Sequence, residues 1–450
     1  MMKRCIAFQR TYIWLVTLAL LIIVAACFAL LSPTISHLFN SQPSSIENTR
    51  LDNAPMFGFD ASHSRTLAYA NTITSANAAH LVPDWTSLPT GGSIFSSPVL
   101  FNGIVYAGSF DGHLYAFAAD GCGRINCPPL WMSTFLGDRL FSTPAVYNGV
   151  VYIGSYDHRL YALSASGCGN FTCSPLWRSV PTGGQIDSSP VVANGVVYIG
   201  SDDGQLYAFQ ADGCGKAQCS PLWKSANARH DIVSSPAIAN GLVYVGSYDY
   251  TGDGAFYAFR AAGCGKNTCS PVWVAQPTGI GYYSSPAIAN GLVYVTSLDG
   301  SVDAFQASGC AKSTCVPVWS TTAAGNFVES SPALNGWVLY IGSWDHRLYA
   351  FNALGCGKPV CSPLWFSTRA GSIIESSPAV GGDVVYIGSD DGSLYAFDAT
   401  GCGNPPCSPL WVSPPAHDAL FSSPVIAKGA VYIGSLDHSL YAFHLPETNP

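Results

Sequence analysis

From about residue 85 onward the chain alternates short apolar runs with two-residue polar interruptions, and the alternation recurs. One stretch displays it: Ser188-Ser189-Pro190-Val-Val-Ala-Asn194-Gly195-Val-Val-Tyr-Ile-Gly200-Ser-Asp-Asp203-Gly204-Gln-Leu-Tyr-Ala-Phe209. The runs are β-branched and aromatic, which suits strands, and Asn-Gly and Asp-Gly are strong hairpin signals. A third run ends at Phe209 and a fourth surrounds Leu222-Trp223. No stretch inside the unit keeps a 3.6-residue period over ten residues, which excludes helical solenoids.

The unit counts itself. Tryptophan falls at 85, 131, 177, 223, 273, 319, 365 and 411, in steps of 46 with one step of 50. An aspartate keeps the same rhythm at 111, 157, 203, 249, 299, 345, 391 and 437. A Ser-Ser-Pro or Ser-Thr-Pro triplet ends at Pro98, Pro144, Pro190, Pro236, Pro286, Pro332, Pro378 and Pro424. Eight units of four antiparallel strands predict an all-β, eight-bladed β-propeller over residues 56–445, with 446–450 as a tail. Blades are numbered below by their triplet. Trp85 precedes the first triplet, and no tryptophan follows Phe443, so each chain end would leave an open sheet edge. Closure requires the strand around Trp85 to serve as the outer strand of the last blade.

Cysteines follow the same phase. Fourteen of sixteen form seven Cys-x4-Cys pairs: Cys122/Cys127, Cys168/Cys173, Cys214/Cys219, Cys264/Cys269, Cys310/Cys315, Cys356/Cys361 and Cys402/Cys407. Zinc would need two pairs to converge on one ion, and the pairs lie in separate blades. An even count in an exported chain reads as disulfides instead. The blade without a pair is the one assembled from both chain ends, where no hairpin exists to staple.

Export is read from the amino terminus. Lys3, Arg4 and Arg10 precede an uncharged run from Thr11 to Leu31, long enough to cross a bilayer as a transmembrane helix, with the cations held inside. Val24-Ala25-Ala26-Cys27 also resembles a lipobox that would lipidate Cys27. Residues 1–31 are therefore an anchor or a signal segment, and the uncleaved anchor is the favoured reading. Residues 32–55, rich in Ser, Asn and Pro, form a tether. Beyond residue 31 the chain carries 16 cations against 27 acids, a balance that excludes a nucleic-acid binder. Charged residues are only 10% and apolar ones 48%, which excludes a disordered chain.

Where a framework repeats and a site need not, variation inside the repeat is informative. Strand alternation puts the loop before each triplet and the Asp turn on one face, with the Asn-Gly turn and the cysteine hairpin on the other. Immediately before the triplets stand Phe95, Phe141, Asp187, Val233, Tyr283, Glu329, Glu375 and Phe421, at the expected mouth of the central channel. Phe421, Phe95 and Phe141 make an aromatic arc, and Glu329 and Glu375 an acidic one. This is a candidate pocket for a cationic or amphipathic ligand; Arg139, His230, Asp231 and His417 lie in the same loops and could pair with the acids. Four extra residues, Thr251–Gly254, lengthen the blade-four turn, where Asp249 and Asp253 fall short of a calcium shell. Asp303 replaces a tyrosine and needs a partner. His158, His346 and His438 follow the turn aspartates as solvated turn residues, and the eight aspartates themselves are expected to cap turns.

The pattern Val-Tyr-Ile-Gly-Ser-x-Asp-Gly-x-Leu-Tyr-Ala-Phe followed by tryptophan resembles the repeat of pyrroloquinoline quinone (PQQ) propellers. Ala396-Phe-Asp398-Ala-Thr-Gly401 is similar to the first half of that family's tryptophan-docking motif, although Trp411 lies ten residues after the glycine, where the family has it four after. The resemblance, which takes in Phe57-Gly58-Phe59-Asp60, implies the fold and leaves two functions. One is a scaffold of the BamB type, which assists outer-membrane protein assembly. The other is a quinoprotein dehydrogenase using PQQ with calcium. The chain lacks the adjacent cysteines of the alcohol-oxidising enzymes and any Cys-x-x-Cys-His haem site, and no nucleophile–base pair or phosphate loop stands out. The expectation is a membrane-tethered monomeric ring on the extracytoplasmic side, without cofactor, binding a protein or peptide partner on its variable face.

Overall fold

A computed structural model of the protein describes residues 53–67, 72–228, 230–248, 254–275, 280–321, 324, 327–427 and 429–446. The anchor, Cys27, most of the tether, and Asp249 and Asp253 lie outside them. No helix among the described residues is long and apolar enough to cross a membrane.

Eight sheets stand around one axis. Blade three is representative. Val191–Ala193 is innermost, followed outward by Val196–Ser201, Gln205–Gln210 and Trp223–Ser225. The registers are antiparallel, with Val191 opposite Tyr198, Val197 opposite Phe209 and Ala208 opposite Trp223. Asn194 and Gly195 both take positive φ, 51° and 76°, the backbone that a tight hairpin demands.

The ring closes as the repeat phase requires. Val82–Ser87 pairs antiparallel with Leu440–His444, Val82 opposite His444 and Thr86 opposite Tyr441. All seven predicted disulfides form, with Cα atoms 5.4–5.7 Å apart.

The two cysteines of each pair differ in burial, which spacing does not show. The first of each pair, such as Cys122 or Cys214, is exposed, except Cys310, which is half-buried. The second ones, Cys127, Cys173, Cys219, Cys269, Cys315, Cys361 and Cys407, are all buried, at 3–5% exposure. All of these except Cys361 pack within the hydrophobic clusters between blades. They are core residues and belong to no surface site. The physical reason is a second set of backbone pairings, which carries them into the neighbouring sheet. Cys127 lies in parallel beside Ser87, Cys173 beside Ser133, Cys219 beside Ser179, Cys269 beside Ser225 and Cys315 beside Ala275. Cys407 bridges Ser367 in the same sense, and the Cys361 N–H donates to Ser320 O at 3.0 Å. In each case the partner is the outer strand of the preceding blade. A bare edge strand would expose unpaired N–H and C=O groups; here the next blade covers it.

Around the inside runs a second belt. The N–H of the second triplet residue donates to the hydroxyl of its counterpart one blade on, from Ser97 to Thr143 through to Ser423, which donates to Ser97 Oγ. The first triplet serine ties its own blade, accepting the N–H of a second-strand residue such as Gly108 or Gly200.

Aromatic side chains fill the space between blades. The indole of Trp177 packs on Gly213 of the next blade, where a Cβ would come within 2.8 Å of the ring. The hydroxyl of Tyr152 reaches the same unit, donating to Ala211 O at 2.9 Å.

The Asn-Gly end of the channel is plugged. Carbonyls of Ala54, Pro55, Ala61, Ser62, Ser64 and Arg65 accept the N–H of Leu100, Val146, Ile238, Ile288, Leu334 and Val380, the central innermost-strand residues of six blades. Ala54 and Pro55, which composition places in the tether, thus belong to the ring. Asp60 holds the turn by accepting from the backbone and hydroxyls of Ser62 and Ser64. Arg65 is fully buried, its guanidinium 4.1 Å from the Phe57 ring centre; burial lowers its pKa to about 9. Buried His63, lowered to about 4 by burial and then by Arg65, stays neutral beside Pro286 O at 3.0 Å.

Candidate functional site

The end of the channel opposite the plug is where the blades stop being alike. A cavity of about 80 Å³ on the ring axis is floored by Phe57 and walled by the triplet hydroxyls. All eight residues singled out before the triplets, Phe95, Phe141, Asp187, Val233, Tyr283, Glu329, Glu375 and Phe421, line it.

The aromatic arc is a packed cluster. Phe95 stacks on Phe141 at 5.5 Å and meets Phe421 edge-on at 5.2 Å, while Phe141 and Phe421 are 5.7 Å apart. Phe110 stacks on Phe95 at 4.3 Å. Phe110 belongs to a second ring of varying residues that sequence reasoning passed over: Phe110, Tyr156, Asp202, Tyr248, Leu298, Trp344, Asp390 and Leu436, each just before the repeated aspartate. The signal was present, since a variable position stands there between a fixed serine and a fixed aspartate.

The acidic arc draws on both rings. Asp187 accepts from the Tyr156 hydroxyl, yet its Oδ1 is buried without a hydrogen-bond partner, as are Oδ1 of Asp202 and of Asp390. Burial raises Asp187 to about 6, and burial followed by repulsion from Asp187 and Asp231 raises Asp202 to about 8. Glu329 rises to about 7 through burial and then Asp390. Glu375 rises to about 8 through burial, Asp390 and Glu329. Burial, then the Glu329 charge, pushes the Tyr283 hydroxyl well above its ordinary value. Carboxyls are thus crowded where water is scarce, so they hold their protons unless a cation enters to favour the ionised forms.

Arg139 does not pair with these acids as the sequence suggested. It is exposed, with its guanidinium 5.6 Å from the Phe110 ring centre, extending the aromatic arc. His230 and His417 sit in the entering loops off the cavity wall, where the His417 N–H donates to Asp437.

The remaining departures are structural. Asp303 is fully buried and accepts from Tyr282 Oη at 2.8 Å and Ser320 Oγ at 2.5 Å. In six blades the repeated aspartate takes a tyrosine hydroxyl at 2.5–2.7 Å. His158, His346 and His438 hold positive φ of 71°, 74° and 76° in the turns.

The channel does not fit a quinone with calcium. Sites for small organic ligands enclose roughly 300–1,000 Å³, against about 80 Å³ here, and three phenylalanines occupy one side. Among the described residues no group of three or more His, Cys, Asp or Glu is arranged to hold a metal ion.

The sequence profile of the family described as outer membrane protein assembly factor BamB matches residues 74–308, 172–401 and 285–450. No curated protein matches the chain. Among solved structures, BamB from Moraxella catarrhalis is similar at 15% identity and TM-score 0.61, covering 82% of this chain and 99% of that one. The quinohemoprotein alcohol dehydrogenase from Comamonas testosteroni is similar at 15% identity and TM-score 0.64, with 89% and 82% covered. The computationally designed Ika8 protein gives 13% identity and TM-score 0.64, with 80% and 99% covered. At such identities these structures share the fold.

Proposed function

Since this chain belongs to the family described as outer membrane protein assembly factor BamB, a family of PQQ-like β-propellers, we propose that it is a binding scaffold tethered to a membrane, with its ring on the extracytoplasmic side. The partner is a protein or peptide that presents a lysine or arginine side chain to the channel mouth. The carrying observation is the contrast within one molecule. Strands, belts and turns repeat around the ring, whereas the two rings at the mouth vary and segregate into an aromatic arc and an acidic arc. The cavity suits a charged side-chain head, and the phenylalanines suit its aliphatic stem and cation. The likeness to a BamB structure supports a scaffold; the likeness to a quinohemoprotein alcohol dehydrogenase is as close, and the small channel cavity favours the scaffold over an oxidoreductase.

The test is binding of an oligolysine peptide, followed by calorimetry at pH 8, to the wild type and to Glu329→Gln/Glu375→Gln. The double variant should lose at least tenfold in affinity while melting at or above the wild-type temperature. Equal affinities would overturn the reading. Pull-down from solubilised membranes with the same pair of proteins then selects the physiological partner by its dependence on the two glutamates.

A further inference from the structure

The face opposite the mouth also has a chemical character, which the repeat makes visible. The residue after Cys-Gly or Cys-Ala in the disulfide hairpins is Arg124, Lys216, Lys266, Lys312 and Lys358 in five of seven units. All five are exposed. Each hairpin is rooted at the Asn-Gly end, because the residue that begins it bonds back to the turn of its own blade: Ala119 to Gly103 O, Ala211 to Gly195 O, Ala353 to Trp337 O. The cations are therefore distributed around the outer margin of one face. Arg260 joins them, while Asp84, Asp120, Asp212, Asp383 and Asp398 stand on the same margin in blades eight, one, three and seven, so the positive charge is concentrated on blades four to six.

Apolar side chains stand exposed on the same margin. Trp337 replaces the usual aliphatic residue after an Asn-Gly turn and is 58% exposed. Leu354 and Val360 in the same blade are 53% and 55% exposed, and Ile125 and Phe171 in other hairpins 75% and 55%. Cations interspersed with aromatic and aliphatic side chains on one surface are the pattern of a membrane interface.

The route of the chain gives the same direction. Asn53, the first described residue, accepts the N–H of Asn102 in the blade-one Asn-Gly turn at 2.9 Å. Asn53 thus stands at this face, and the tether that precedes it in sequence offers about 20 residues, a root-mean-square reach of roughly 25 Å.

We infer that the Asn-Gly face lies against the anionic lipid surface of the membrane that anchors the chain, with the hairpin cations and Trp337 at headgroup level and the acidic mouth turned away. The inference rests on the tethered reading of the preceding section, and one experiment separates the two. Full-length chain is reconstituted into vesicles of phosphatidylcholine alone, or containing about one-third phosphatidylglycerol, floated on a density gradient, and treated with a water-soluble amine-acylating ester. Labelling of Lys216, Lys266, Lys312 and Lys358 is read by peptide mass spectrometry, with half-buried Lys224 on a blade-three outer strand as reference. The four hairpin lysines should label at least threefold more slowly on anionic than on zwitterionic vesicles, with Lys224 unchanged. Arg124→Gln/Trp337→Ala should restore much of their labelling. Flotation with both vesicles but equal labelling overturns the lipid-facing ring and leaves the anchor standing. Flotation with neither overturns both, and flotation with anionic vesicles alone upholds the ring without the anchor.

Discussion

A carboxyl that is buried beside other carboxyls holds its proton longer, and Glu329, Glu375 and Asp202 do so up to about pH 7–8. Their pKa values are higher folded than unfolded, so the folded state binds more protons between roughly pH 4.5 and 8, and stability falls as pH rises through that window. Cation binding needs the ionised forms and moves the opposite way. The melting temperature should decline from pH 5 to pH 8 while oligolysine affinity climbs, and Glu329→Gln/Glu375→Gln should flatten both curves; parallel curves for variant and wild type would disprove the assignment. Asp303 is a different case, a buried acid held by hydroxyl donors. Removing one by Tyr282→Phe should cost about 1–3 kcal/mol in urea unfolding. At this scale, legibility depended on the repeat. The ring from Phe95 to Phe421 could be read because an unvarying triplet follows it. Arg65 and Phe57 could not be placed, because the lead-in segment has no sister units to fix its position.

At the scale of elements the sequence spoke most clearly about what is local. Asn194-Gly195 and the Cys-x4-Cys spacing are contained within one hairpin, and both formed as expected. Pairing between blades was less legible, since spacing shows that Cys173 closes a short loop but not that it is buried along Ser133 of the neighbouring sheet. The same holds for Cys127, Cys219, Cys315, Cys361 and Cys407, whose burial depends on a strand some 40 residues earlier in the chain. Replacing Cys168 and Cys173 by serine should cost about 2 kcal/mol from the six-residue loop in the chain-entropy account. A larger loss in thermal unfolding would measure what the bridge contributes to covering the neighbour's edge. Gly213→Ala should be worse than an ordinary glycine replacement, because the new methyl meets the Trp177 indole and φ is 75°; a loss of about 2 kcal/mol or more is expected. Blade eight, without a hairpin, uses Leu81 instead. It lies four residues before Trp85, as Cys173 lies four before Trp177, and is 4% exposed.

For the whole molecule, the phase of the tryptophans was sufficient to predict closure, and Trp85 is the residue on which closure depends. It is 2% exposed, and its indole N–H donates to Ala119 O at 3.0 Å. Trp85→Ala should cost about 3–5 kcal/mol and broaden the thermal transition, as blade eight loosens before the others. Closure also imposes an order of events on biosynthesis. The Leu440 N–H that meets Ser87 Oγ is 353 residues away along the chain, roughly 20–70 seconds of translation at ordinary rates. Throughout that interval the earliest outer strand emerges without its neighbour, and a product interrupted before its final strand displays a tryptophan-bearing ribbon. Proteases that patrol for unfinished chains would thus find a defined mark on every truncated copy and none on a completed one.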